Sequence, residues 1–245
     1  MEKILEVNSL TKFYKNGRGI KDISFDIYKG DIFGFLGPNG AGKTTVMKSI
    51  TGLNMFKSGK VKILGFNIKT QFEKALEKVG AIIETADAYE YMSAYNNLKI
   101  ASRFYSDIKK SDIDKMLDVV ELKEFKNEKV SKFSLGMKQR LALALALLSK
   151  PELVILDEPT NGLDIEGTVQ MRNLIIKLAD NKQTTFFISS HLVHEIEIIC
   201  NKVAIIYKGE LINSGEKVTN IKKRYASLED FYMSEINKRR HQSNE

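Results

Sequence analysis

The stretch that most constrains this chain is Gly37-Pro38-Asn39-Gly40-Ala41-Gly42-Lys43-Thr44-Thr45. It follows an apolar run, Ile32-Phe33-Gly34-Phe35-Leu36, and opens a segment compatible with a helix, so a buried strand turns through glycines into a helix. Glycines let successive backbone N–H groups converge on one point at a helix N-terminus, where a phosphate accepts several hydrogen bonds. Gly37, Asn39, Gly40 and Gly42 form that cradle. Lys43 is spaced to reach the β- and γ-phosphates, Thr44 to offer its hydroxyl to Mg²⁺, and Thr45 to add a further phosphate contact. A turn that merely joined strand to helix would not require a Lys-Thr pair directly after Gly42. The stretch predicts a P-loop that binds a nucleoside triphosphate with Mg²⁺.

The 245 residues can bury a substantial core, and 43% hydrophobic with 28% charged residues is ordinary for a folded globular chain. The longest apolar stretch, Leu141 to Leu148, is far below the roughly 20 residues of a membrane span. The N-terminus mixes charges of both signs without an apolar segment, so no secretory signal is expected and the chain is placed in the cytoplasm. A single cysteine, Cys200, excludes an intramolecular disulfide and reads best as a small buried hydrophobe. The net charge of +7 is spread along the chain, with tight clusters only at Lys222-Lys223-Arg224 and Lys238-Arg239-Arg240. A solvated face explains these clusters. No aromatic residues interleave with them as a single-strand platform needs, and no nucleic-acid partner is expected.

Alternation of apolar and polar residues predicts half-buried strands over residues 3–9, 23–28 and 60–64, hence an antiparallel layer. Leu153-Val154-Ile155-Leu156 and Thr185-Phe186-Phe187-Ile188 are instead continuous apolar runs, the pattern of parallel strands buried on both faces. Between them Met171, Leu174, Ile175 and Leu178 recur at i, i+3, i+4 and i+7, which predicts an amphipathic helix from about 167 to 180 and a βαβ unit. Residues 202–212 predict a hairpin turning at Lys208-Gly209-Glu210. Between residues 89 and 149 strand signals give way to helical ones, including Asp112 to Leu122.

Leu153-Val154-Ile155-Leu156-Asp157-Glu158-Pro159 delivers two carboxylates at a strand's C-terminal end, where open α/β sheets bind ligands. An Asp-Glu pair alone often only marks a strand end. Downstream of a P-loop it predicts Asp157 as a Mg²⁺ ligand and Glu158 as the group that orients the attacking water. In Phe133-Ser134-Leu135-Gly136-Met137-Lys138-Gln139-Arg140, a Ser and a Gly precede a strongly helical run. Free N–H groups at that helix start form a second candidate anion site, although an ordinary N-cap explains the residues equally well. His191 follows the strand ending Ile188-Ser189-Ser190, on the same sheet end as the P-loop. It is the one histidine of three so placed; His194 and His241 read as exposed. Tyr14, taken alone, reads more readily as a packing aromatic than as a platform for a base.

From Leu10 to about Ile212 the chain resembles the nucleotide-binding subunit of an ATP-binding cassette (ABC) transporter. The resemblance implies an α/β P-loop NTPase with a RecA-like core, an antiparallel β subdomain and a helical subdomain. Residues 1–220 would be the ATPase domain, with the helical part inserted at about 86–150, and residues 221–245 a short helical extension. By resemblance Ser134 and Gly136 belong to the signature motif, here Phe-Ser-Leu-Gly-Met in place of Leu-Ser-Gly-Gly-Gln. Asn161-Gly162-Leu163-Asp164 is similar to the D-loop, His191 to the switch histidine at the γ-phosphate, and Tyr14 to the aromatic that stacks on adenine. In Val79-Gly80-Ala81-Ile82-Ile83-Glu84, Glu84 stands where most of the family has Gln, and it remains a hard-cation ligand. That Glu, with the ending Ser227-Leu228-Glu229-Asp230-Phe231-Tyr232, resembles exporters of bacitracin and lantibiotic type.

The resemblance implies ATP and Mg²⁺ as ligands, catalysis by Glu158, His191 and Lys43, and metal ligation by Thr44, Glu84 and Asp157. It also implies two partners: a second copy of the chain in an ATP sandwich, and an integral membrane permease on the inner face of the membrane, docking around residues 89–97. A soluble ABC protein clamping ribosome or DNA is the main alternative. Such proteins usually carry two cassettes or long coiled-coil insertions, and this sequence has neither. A regulator with little catalysis would lack Glu158 or His191, and both are present.

Overall fold

The computed structural model describes residues 2–85, 88–180 and 184–242. The strands are β1 (Lys3–Phe13), β2 (Gly19–Tyr28), β3 (Ile32–Leu36), β4 (Ser58–Ile63), β5 (Phe66–Asn67), β6 (Val79–Ile82), β7 (Leu153–Asp157), β8 (Thr185–Ser190), β9 (Lys202–Tyr207) and β10 (Glu210–Lys217). The helices are α1 (Lys43–Ile50), α2 (Phe72–Leu76), α3 (Ala94–Ser102), α4 (Lys110–Val119), α5 (Leu135–Leu147), α6 (Ile165–Ala179), α7 (Val193–Ile199), α8 (Val218–Ile221) and α9 (Leu228–Gln242).

Two sheets result. The antiparallel one has the order β2-β1-β4-β5, and the larger one β10-β9-β3-β8-β7-β6. The three alternating segments expected as an antiparallel layer are β1, β2 and β4. The larger sheet is parallel from β9 to β6, with β10 added antiparallel at one edge. Its continuous apolar runs have a direct cause: successive side chains point to opposite faces, and both faces are covered. In β7, Leu153 and Ile155 join one core cluster and Val154 and Leu156 the other; in β8, Phe187 and Phe186 divide in the same way.

On one face lie α5, α6 and α7; on the other lie α1 and the antiparallel sheet. Phe25 of β2 ties the two sheets together, its ring 5.5 Å from those of Phe33, Phe35 and Phe187. The β7–α6–β8 unit joins parallel neighbours, as the periodicity predicts. Between β6 and β7 the described residues form helices, and their strand-like contact is a single bridge from Ser93 to Lys129.

Two local features depart from the sequence expectations. The β9–β10 turn holds two residues, not three, because Glu210 already pairs with Tyr207. β6 carries no strand signal because Gly80 and the exposed Ala81 dilute its four residues; a Cβ at Gly80 would meet the Ala146 carbonyl at 2.1 Å, so α5 can pass closely only over glycine. The basic clusters lie on a solvated face, as expected, and make exposed ion pairs there. Lys222 pairs with Glu197, Arg224 with Glu216, Lys238 with Glu235 and Arg239 with Glu210. Arg240 hydrogen-bonds the Tyr207 hydroxyl and lowers its pKa. His194 is exposed, and the side chain of His241 lies outside the described residues.

Two outcomes follow from the core. Phe25→Ala removes the ring shared by both sheets and should destabilise the fold by about 3–5 kcal/mol in chemical denaturation. Cys200 is buried in an apolar setting that pushes its thiol pKa up. It should resist a thiol reagent in the native protein and react fully once the chain is unfolded.

Candidate active site

The P-loop residues lie between β3 and α1, at the C-terminal end of the parallel strands. Gly42 caps α1 at φ +109°, a conformation open to glycine and costly for residues with a Cβ. The helix therefore starts with free N–H groups facing the loop. The Lys43 side chain is 6% exposed; its ammonium donates to the carbonyls of Gly37 at 2.7 Å and Pro38 at 3.2 Å and lies 3.0 Å from Glu158 Oε1. A cleft of about 500 Å³ is lined by Tyr14, Asn39, Gly40, Gly42, Lys43, Thr44, Thr45 and Glu158.

Strand β7 ends at Asp157, in register with Ser189 of β8. The Thr44 hydroxyl donates to Asp157 Oδ2 at 2.7 Å, and the Ser189 hydroxyl donates to Asp157 Oδ1 at 2.5 Å. Both carboxylate oxygens are thus fixed. Glu158 has a left-handed backbone, φ +51°, and its N–H donates to Ser189 Oγ at 3.0 Å. Its side chain stands between two nitrogens: Lys43 Nζ, and His191 Nδ1, which is 2.7 Å from Oε2. Against a carboxylate only a protonated Nδ1 forms that bond, so His191 points its proton at Glu158. A glycine-rich loop at a helix start, a hydroxyl-carboxylate pair and a carboxylate flanked by two nitrogens therefore share one sheet end.

Among the described residues, no cluster of three or more His, Cys, Asp or Glu is arranged to hold a metal. What the site offers is the Thr44 hydroxyl beside the Asp157 carboxylate. Two hard oxygen donors, with phosphate and water completing the shell, fit Mg²⁺ better than a metal that needs a full protein cage.

The other sequence-predicted residues fall elsewhere. Ser134 is the N-cap of α5, its Oγ accepting from the Met137 N–H at 3.3 Å. Asp164 caps α6 through the Gly167 N–H at 2.7 Å. Ser134, Gly136 and Asp164 line a second cleft of about 430 Å³, separate from the P-loop cleft. Glu84 is ion-paired with Lys48 at 2.6 Å and not bonded to Thr44 or Asp157. Tyr14 borders the P-loop cleft at 40% exposure, with its hydroxyl accepting from Asn54 at 2.9 Å and Lys12 lying over its ring. Sequence reasoning passed over Ser189, which holds both Asp157 and Glu158; its one signal was a serine at the end of a buried strand.

Ser189→Ala should leave Asp157 Oδ1 short of a donor in a buried setting and lower stability by about 1–3 kcal/mol. Chemical denaturation reads this out; an unchanged midpoint would contradict the role given to the hydroxyl.

Residues 20–161 match the ABC transporter domain family. The chain is 42% identical over 238 residues to the bacitracin transport ATP-binding protein BcrA of Bacillus licheniformis, covering 97% of this chain and 78% of that one. It is 38% identical over 209 residues to the lantibiotic transport ATP-binding protein SrtF of Streptococcus pyogenes, covering 85% and 89%. A solved ATP-binding subunit of an ABC transporter superposes with a TM-score of 0.82 at 25% identity, covering 95% of this chain and 99% of the other. A dimeric ATP-binding cassette bound to ADP and Pi shares the fold, with a TM-score of 0.78 at 23% identity and coverage of 88% and 99%. The chain belongs to the ABC transporter family, as an ATP-binding and ATP-hydrolysing subunit.

Proposed function

We propose that this subunit hydrolyses ATP with Mg²⁺ to drive a separate membrane permease that exports an antimicrobial peptide or drug. The observation that carries the hydrolytic part is the joining of Lys43, Glu158 and His191 in one contact series beside Thr44 and Asp157. The relatives named for bacitracin and lantibiotic transport support the export part. They also favour transport over the ribosome or DNA clamp.

In this mechanism the backbone N–H groups of the P-loop and the Lys43 ammonium bind and orient the phosphates of ATP. Thr44 and Asp157 would hold Mg²⁺, with Glu84 as a further ligand, and a metal held there would supply charge neutralisation at the phosphate oxygens. Glu158 positions and polarises the water that attacks in line, and its strained backbone aims the carboxylate. His191 meets the γ-phosphate, and Tyr14 stacks on the adenine. Ser189 is a positioning residue, acting through Asp157 and Glu158.

Separation of the P-loop cleft from the Ser134 cleft supports a head-to-tail pair of chains. In that pair Ser134, Gly136 and Asp164 of one copy complete the ATP site of the other. We assign residues 1–220 to the ATPase domain, about 86–150 to its helical insertion, and 221–245 to the extension. No helix among the described residues is long and apolar enough to cross a membrane. The chain would therefore reach the inner face of the membrane through its permease. A groove of about 420 Å³ lined by Leu53, Ile83, Thr85, Tyr105 and Leu145 supports docking there. Tyr89 and Tyr91, both exposed and with rings 5.9 Å apart, stand at the start of the expected docking segment.

Glu158→Gln keeps the shape of the site but loses the carboxylate charge. ATP binding should persist while turnover falls about 100-fold or more, as measured by phosphate release and by binding of a fluorescent ATP analogue. Turnover at the wild-type rate would refute the role of Glu158.

A further inference from the structure

Glu84 lies just beyond β6 in a tight turn, where the Thr85 N–H donates to the Ile83 carbonyl at 3.0 Å. Its φ is +69°, so this is a γ-turn of the uncommon hand, costly for a residue with a Cβ. Such strain persists only where something holds the residue in place. The group that meets the Glu84 side chain is Lys48, whose ammonium lies 2.6 Å from Glu84 Oε1.

Lys48 follows Thr44 by four residues on α1. Residues at that spacing share one helix face, one turn or about 6 Å apart along the axis. The Glu84 carboxylate is thus anchored by a residue one helical turn along α1 from Thr44, whose hydroxyl pairs with Asp157. Lys48 is the better fixed of the two partners, with its side chain 25% exposed against 57% for Glu84. Its backbone carbonyl accepts from the Asn54 N–H at 3.0 Å and from the Thr51 hydroxyl at 3.3 Å, which secures the end of α1. With Glu84 assigned as a metal ligand, its one carboxylate has two cations to serve from a single helix: the Lys48 ammonium and a metal at Thr44 and Asp157.

We propose that Lys48 is a positioning residue that competes with the metal for Glu84 and so sets the metal affinity of the ATP site. This rests on the assignment of Glu84 as a metal ligand. A lysine that served only to complement the C-terminal end of the α1 dipole would make no demand on Glu84. The exchange also gives the turn at Glu84 two anchorages on α1, one at each end of a helical turn.

The test is a double-mutant cycle of Lys48→Met and Glu84→Gln. Each variant is saturated with a fluorescent non-hydrolysable ATP analogue and titrated with Mg²⁺, with melting curves to verify folding. Lys48→Met removes a nearby positive charge in either background, so general repulsion of the metal cancels around the cycle. With Glu84 present, the substitution should tighten Mg²⁺ by about two- to five-fold more than it does in the Glu84→Gln background, the range expected for loss of an exposed ion pair. Equal shifts in the two backgrounds, or weaker binding, overturn the role of Lys48 while leaving nucleotide binding intact. Unchanged Mg²⁺ affinity in Glu84→Gln alone overturns both the ligand assignment and the competition.

Discussion

The placement of β8 between β3 and β7 is the constraint on which this molecule depends. All three strands are parallel and buried on both faces, so their polar ends emerge on one side of the sheet. Register does the rest: Ser189 lies opposite Phe35 on one side and Asp157 on the other. A slip of one residue would exchange the two faces of β8, sending Phe187 into the wrong core and turning Ser189 away from Asp157. The aromatic packing around Phe25 and Phe187 thus maintains the geometry of the site as well as the stability of the core.

At that sheet end the charges are arranged to satisfy one another. A nearly buried ammonium such as Lys43 is tolerated only with partners, and it has two carbonyls and a carboxylate. The same carboxylate reaches His191, and the neighbouring Asp157 is held by two hydroxyls. Hydroxyl donors fix Asp157 without adding charge, which keeps it available as a hard anionic ligand. The charges of the site are therefore satisfied within the chain, and a bound phosphate would exchange its own contacts for those that Lys43 and His191 make with Glu158.

The second cleft has a different character. Ser134 and Asp164 spend their side-chain oxygens capping their own helices, so what they present outward is backbone and rim. Leu135 and Met137 stand where the usual signature has Gly and Gln, and Leu135 is exposed close to Gly162. An apolar rim of this kind is better suited to another protein surface than to a lone anion, in keeping with a site completed between two copies.

Much of this was legible in the residues because it is written in local order. The strand-glycine-helix transition at Gly37 to Thr45, the doubly buried runs at β7 and β8, and the Ser134 cap each depend on neighbours along the chain. The strand β6 escaped notice because its reason lies in α5, whose carbonyl excludes any side chain at Gly80. The basic clusters are the solvated face that composition suggests, but only the fold shows that Glu197, Glu210 and Glu216 lie beside them. The sequence by itself set the chemistry on offer: which groups are candidates to bind phosphate, metal and water. Only the tertiary structure decided which of them meet, bringing Ser189 to Asp157, Lys43 to Glu158 and Lys48 to Glu84. Those pairings join segments far apart in the chain, and strand order and register, not local propensity, set their distances.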